Sequence, residues 1–179
     1  MHEDGDGRLV ERCRAGDKRA FEALLVRYQK PVFNAALRML RNPDDARDVA
    51  QTVFLKAYEH LADYDPSFKF YSWIYRVAIN ESINVLQRRR QHEPIAGDEL
   101  DESVGPEGQV AGQQIGAGIQ RALMTLKPDY QSVIVLRHLL DCSYQDMAEI
   151  LSLPEKTVKS RLFAARQQLV EALGKDGVA

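Results

Sequence analysis

The stretch Ser143-Tyr144-Gln145-Asp146-Met147-Ala148-Glu149-Ile150-Leu151-Ser152-Leu153-Pro154-Glu155-Lys156-Thr157-Val158-Lys159-Ser160-Arg161-Leu162-Phe163-Ala164-Ala165-Arg166-Gln167-Gln168-Leu169 decides the fold. Ser143 is a good helix N-cap, with Asp146 three residues on. Tyr144, Met147, Ala148 and Leu151 then share one apolar face. Ser152-Leu153-Pro154 is a tight turn, and proline suits the opening of the helix that follows. That helix buries Val158, Leu162, Ala165 and Leu169. A short helix, a tight turn and a longer helix predict a helix-turn-helix. On the second helix Lys156, Ser160, Phe163 and Gln167 point away from the core. Lys159 and Arg166 flank them on one side, Thr157 and Arg161 on the other. Donors near the start of such a helix reach base edges and phosphates, and Phe163 suits a thymine methyl.

Working outward, Ile119–Leu126 and Asp129–Leu140 read as two helices preceding this pair. Upstream of them, 93–118 reads as a linker: it carries six acids, is rich in Gly and Gln, and holds no Lys or Arg. The block before it is again helical. Phe21, Leu24, Leu25 and Tyr28 begin an apolar stripe that Val32, Ala36 and Met39 continue past Pro31, where a kink or break is expected. Asn42-Pro43-Asp44-Asp45 stops one helix and starts the next, which buries Ala46, Val49, Ala50, Val53, Ala57 and Leu61. Its opposite face offers Asp48, Gln51, Leu55 and Tyr58, a pattern that suits a partner helix.

A long helix is predicted over Tyr71–Arg90. It is apolar on most sides, including Trp73, yet Ser72, Arg76, Asn80, Asn84 and Arg88 form a narrow polar stripe. Asparagine amides pair with base edges. The preceding loop, Asp65–Phe70, holds Lys69 and the aromatics Phe68 and Phe70, which together suit unstacked single-stranded bases.

Composition narrows the field. The chain has 179 residues, 45% of them hydrophobic, enough for an ordinary core. No apolar run reaches the ~20 residues of a membrane span, and Met1–Gly7 is acidic, unlike a signal peptide. A cytoplasmic protein without membrane insertion is expected. Cys13 and Cys142 read as reduced thiols, the four histidines form no ligand cluster, and no metal or other cofactor is expected. No nucleophile–base pair or phosphate loop points to an enzyme. The net charge of −2 is low for a protein that grips DNA alone.

Three segments in fixed order resemble the extracytoplasmic-function (group IV) sigma factors of the bacterial sigma-70 family. Asp45-Ala46-Arg47-Asp48-Val49-Ala50-Gln51-Thr52-Val53-Phe54 is similar to that family's DAEDxxQxxF segment. Phe70-Tyr71-Ser72-Trp73-Ile74-Tyr75-Arg76-Val77-Ala78-Ile79-Asn80 is similar to its FxxWLxRIAxN segment. Thr157-Val158-Lys159-Ser160-Arg161-Leu162 with Ala165-Arg166 is similar to its TVKSRLxxAR segment. The resemblance implies an all-α fold: sigma domain 2 over 1–92, a flexible acidic linker over 93–118 and sigma domain 4 over 119–179. It implies docking of Asp48, Gln51, Phe54 and Leu55 on the β′ clamp helices of core RNA polymerase, with the β flap as a further contact. It implies −10 strand binding around Lys69, Phe70, Arg76, Asn80, Asn84 and Arg88. It also implies −35 duplex reading by Lys156, Thr157, Lys159, Ser160, Arg161, Phe163 and Arg166, and control by an anti-sigma factor. Four positions depart from the pattern: Glu155-Lys156 stands for a common Val-Gly, Ala164 for a basic residue, and Arg47 for Glu. An autonomous helix-turn-helix regulator and a sigma-mimicking adaptor for an anti-sigma factor are the competing expectations. The first would bind DNA tightly without polymerase; the second would not bind it at all.

Overall fold

The computed structural model describes the backbone of residues 3–92 and 110–175, and all regular elements among them are helical. The first half holds α1 (Glu3–Arg14), α2 (Lys18–Leu40), α3 (Pro43–Glu59), a 3-10 turn (Leu61–Asp63) and α4 (Phe70–His92). The second holds α5 (Val110–Thr125), α6 (Pro128–Ile134) running into a π turn (Val135–Leu139), α7 (Tyr144–Leu151) and α8 (Glu155–Lys175).

Local chemistry sets the helix ends. The Asp17 carboxylate accepts the backbone N–H groups of Arg19 and Ala20 at the start of α2. Asn42 does the same for Asp44 and Asp45 at the start of α3. Pro43 then opens that helix, and Asp44 and Asp45 favour its positive dipole end. Ser143 and Asp146 form a full capping box on α7, as the sequence predicts. Ser152 ends α7 in the left-handed conformation, at φ 53°.

Four boundaries differ from expectation. Pro31 lies inside an uninterrupted α2. Its ring removes one backbone bond, but Tyr28 before it and Val32, Ala35 and Ala36 after it are buried, so packing holds both flanks in line. Helix α1 was not expected from an acidic, glycine-containing start. It docks because the buried Asp6 carboxylate accepts from the Arg27 guanidinium and the Tyr28 hydroxyl. The helix over 128–139 is not uniform: beyond Ile134 the backbone widens into the π turn, which closes when Leu140 N–H donates to Val135 C=O. Helix α5 begins at Val110 rather than Ile119, so its first turns lie in the stretch read as linker; the remainder of that stretch lies outside the described residues.

Helices α2, α3 and α4 pack together, with α1 along α2. Helix α8 packs on α5, α6 and α7. Helix α4 also lies against α6 and α7, so one buried cluster runs through both halves. Inside that seam the Gln131 amide donates to the Met39 carbonyl at 2.6 Å. The Arg90 guanidinium donates to the Leu126 carbonyl at 2.7 Å.

Candidate nucleic-acid and docking interfaces

Three faces carry the chemistry expected from the sequence. The first is on α3. Asp48, Gln51, Leu55 and Tyr58 are all exposed there, and Leu55 and Tyr58 are 59% and 58% accessible. Large apolar side chains this open on an ordered helix are unusual. Phe54 is half-buried and lines, with Leu25, Phe33, Ala50 and Gln51, a groove of about 590 Å³ between α2 and α3. Arg47, which departs from the family's acidic residue, is paired with Asp44 at 2.7 Å, so its charge is partly cancelled.

The second face is on α4. Asn80, Asn84 and Arg88 are exposed in one line. Two members of the predicted stripe are elsewhere. Ser72 is fully buried. Arg76 is half-buried, its Nε and Nη2 donating to the Glu149 carbonyl of α7 at 3.2 and 2.5 Å. Lys69 reaches Asp146 of α7 at 3.4 Å. Tyr71 donates to the Cys142 sulfur at 3.7 Å. The helix-turn-helix unit therefore lies over the N-terminal end of the polar stripe on α4.

Phe70 requires correction. It is 4% exposed, set edge-on to Tyr28 and Tyr64 and tilted against Trp73, and offers no face to a base. Its spacing to Trp73, Ile74 and Val77 follows the helical apolar period, a signal that marks it as core. The available ring is Phe68, which that period excludes. It is 41% exposed, with the Arg76 guanidinium 5.7 Å from its centre. The loop around it is shaped by Asp65, whose carboxylate accepts the Ser67 N–H, and by the Tyr64 hydroxyl, which donates to the Phe68 carbonyl.

The third face is on α8. Lys156, Lys159, Ser160, Phe163, Arg166 and Gln167 are exposed, Phe163 at 65%, while Thr157 and Arg161 are half-buried. Val158, Leu162 and Ala165 are buried beneath them and Leu169 is half-buried. Several cations here are already engaged. Lys159 pairs with Glu155 at 2.5 Å, and Arg161 with Asp129 at 3.7 Å. Arg166 donates to the His138 Nε2 at 3.2 Å. Burial, then the Arg166 and Arg137 charges, push the His138 pKa down, so the ring stays neutral and accepts.

Residues 24–92 match the family profile described as Sigma-70 region 2, and 117–169 that of Sigma-70, region 4. The chain belongs to the sigma-70 family of RNA polymerase sigma factors. It is 34% identical to the RNA polymerase sigma-H factor of Pseudomonas aeruginosa, over 97% of this chain and 96% of that one. It is also 34% identical to the ECF RNA polymerase sigma-E factor of Escherichia coli, over 90% of each. Among solved structures, CnrH in complex with the cytosolic domain of CnrY superposes at a TM-score of 0.71. That pair is 26% identical, over 96% of this chain and 99% of that one. A sigma factor bound to the anti-sigma factor NepR from Bartonella quintana shares the fold at 0.68 and 22% identity, over 86% of this chain and 96% of that one. The chain is thus an alternative sigma factor of the extracytoplasmic-function type that directs transcription initiation.

Neither thiol of this sigma factor is set up for reaction. Cys142 is buried, and that burial pushes its pKa up to about 11. Cys13 is half-buried and its pKa is also raised, first by burial. Among the described residues no cluster of His, Cys, Asp and Glu could hold a metal ion, and no helix is long and apolar enough to cross a membrane.

Proposed function

We propose that this group IV factor works in the cytoplasm through three separate faces, without chemistry of its own. Sigma domain 2 over 1–92 docks on the β′ clamp helices through Asp48, Gln51, Leu55 and the groove edge at Phe54. It holds the opened −10 strand with Asn80, Asn84, Arg88 and Phe68, and with Lys69 and Arg76 once these two leave α7. Sigma domain 4 over 119–179 approaches the β flap and reads the −35 duplex with Lys156, Thr157, Lys159, Ser160, Arg161, Phe163 and Arg166. The acidic segment 93–118 links the two.

The observation that carries this reading is the division of labour between α3 and α4. The α3 face stands open while the upper part of the α4 face is covered by α7. An open docking face beside a closed strand-reading face suits a subunit that joins polymerase first and engages DNA second. The free chain would then bind DNA weakly, which its net charge of −2 also favours. Two solved relatives are described in complex with a protein partner, one of them named an anti-sigma factor. An anti-sigma partner is inferred here by that likeness.

Run-off transcription with purified core polymerase, beside a gel shift of the chain alone, tests the proposal. Promoter-specific transcripts only when both proteins are present support it. A tight gel shift without polymerase would instead show an autonomous regulator. Failure of both assays, with tight anti-sigma binding, would show an adaptor.

A further inference from the structure

One turn of the reading helix carries an acid and a base locked together. Glu155, the first residue of α8, has its Oε1 2.5 Å from the Lys159 Nζ, and both side chains are about half exposed. The same ammonium lies 5.2 Å from the centre of the Tyr144 ring on α7. Arg137 also lies 5.2 Å from that ring, and its guanidinium donates to the Cys142 carbonyl at 2.9 Å. Lys159 is thus held from two helices instead of sweeping freely over the surface. An exposed i,i+4 pair on an ordinary helix adds only a few tenths of a kcal/mol. Here the exposed pair flanks the face that the proposal above offers to DNA, near enough that a carboxylate repels phosphate and costs affinity.

The chemistry of the major groove gives that carboxylate a use. Guanine presents two adjacent acceptors, O6 and N7, which suit a lysine. Its partner cytosine presents the N4 amino donor, which suits a glutamate. An acid one helical turn from a lysine matches this donor–acceptor pattern. The acid is also repelled by acceptor-rich edges, so it rejects wrong sequences as well as favouring the right one.

We propose that Glu155 and Lys159 read a single G·C base pair of the upstream promoter element as one unit, with Tyr144 as the residue that positions Lys159. Lys159 donates to guanine O6 and N7, Glu155 accepts from cytosine N4, and the Tyr144 ring holds the ammonium within reach. The inference rests on the proposal above that α8 enters the duplex.

The test uses the full chain with core polymerase on a promoter library randomised through the upstream element, read by sequencing of the transcripts. The unaltered chain should favour one G·C pair at one position by about 5- to 150-fold, the range for one well-made base contact. Glu155→Ala and Lys159→Met should each flatten the preference at that position and leave the other positions unchanged. Tyr144→Leu should weaken the same preference, and Tyr144→Phe, which keeps the ring, should restore it. A purely structural Tyr144 would lower transcription at every sequence alike. Glu155→Ala raising transcription uniformly, with the preference intact, would make Glu155 a repulsive bystander and overturn the proposal. An unchanged profile in all variants would reduce the pair to helix support and overturn it too. If the unaltered chain gives no transcript with core polymerase, the underlying proposal fails, and this one with it.

Discussion

Replacing Gln131 with leucine should loosen the seam between the two halves. A helix end leaves several carbonyls without helical partners. At the end of α2 the Leu37 carbonyl takes the Arg41 N–H, and the Leu40 carbonyl takes the Arg89 guanidinium. The Met39 carbonyl takes the Gln131 amide from α6, at 2.6 Å and fully buried. Leucine fills similar space but donates nothing. A buried acceptor left unpaired costs about 1–3 kcal/mol. The Gln131 Oε1 is itself buried without a partner, and its removal returns part of that cost. The net loss therefore falls in the lower half, at about 1–2 kcal/mol, and multiplies the opening constant by about 5- to 30-fold.

Apparent affinity for a site that is closed most of the time scales with the open fraction. The assay is fluorescence anisotropy with the labelled non-template strand of a promoter that the holoenzyme transcribes. Free Gln131→Leu chain should bind the strand more tightly than the unaltered chain by that same factor. With core polymerase present the two should bind alike, because docking has already opened both. The reasoning is refuted if the free unaltered chain holds the strand as tightly as holoenzyme does. It is equally refuted if Gln131→Leu lowers the urea midpoint and leaves strand affinity unchanged.

Other expectations follow from local geometry. Asp6→Ala strips the Arg27 guanidinium and the Tyr28 hydroxyl of their acceptor, and should cost about 2–3 kcal/mol in urea unfolding and expose α1 to protease; an unchanged midpoint would dismiss Asp6 as the anchor of α1. Ser152→Gly relieves a side chain at φ 53° and should add about 0.5–1 kcal/mol, read as a higher melting temperature; a lower one would mean the serine side chain contributes more than its strain. Burial pushes the phenol pKa values of Tyr28, Tyr71, Tyr75 and Tyr64 above their ordinary value, Tyr75 up to about 12. Their unfolded forms ionise at about 10, so the stabilisation is full below that pH and falls as pH rises above it, the Tyr75 share being lost through about 10 to 12. Urea midpoints should stay level near pH 8 and fall across that window, less steeply in Tyr75→Phe.

Much of this was legible in the sequence because it rests on local rules. The Ser143–Asp146 box, the Asn42 cap and the Val158-Leu162-Ala165 stripe are each set within one or two helical turns, and the structure has them where the pattern puts them. What escaped depends on distant partners. Asp6 makes sense only beside Arg27 and Tyr28. Pro31 stays helical only because its flanks are buried by other helices. The π turn after Ile134 ends against Cys142, whose N–H donates to the Leu136 carbonyl, a closure that no periodicity announces. Phe70 is a different kind of miss. Its period placed it in the core, and its place in a basic, aromatic loop drew it into the binding site instead. Arg76 sits in the exposed stripe by angle, yet a helix some seventy residues further along the chain occupies it.

Under the proposed function, the near-neutral charge becomes intelligible once five of the cations assigned to DNA are followed to their partners. Lys159 faces Glu155, Arg161 faces Asp129, Lys69 faces Asp146, and Arg76 and Arg166 are spent on a carbonyl and an imidazole. Each must exchange a protein partner for a phosphate or base, so each contact yields less than a bare lysine on a basic surface would. Simple attraction to phosphate is weakened at these positions, and that attraction is the part of binding that ignores sequence. What survives in that reading is the part that depends on geometry, the proposed simultaneous fit of α4 and α8 to two DNA elements. Two weak contacts joined on one scaffold act at a high effective concentration of each for the other, provided their spacing is right. The chain's own seam, where α7 lies over α4, covers part of one of the two faces. A body that grips α3 and pulls the halves apart would therefore create specific affinity that neither half has alone, without any new DNA contact being added.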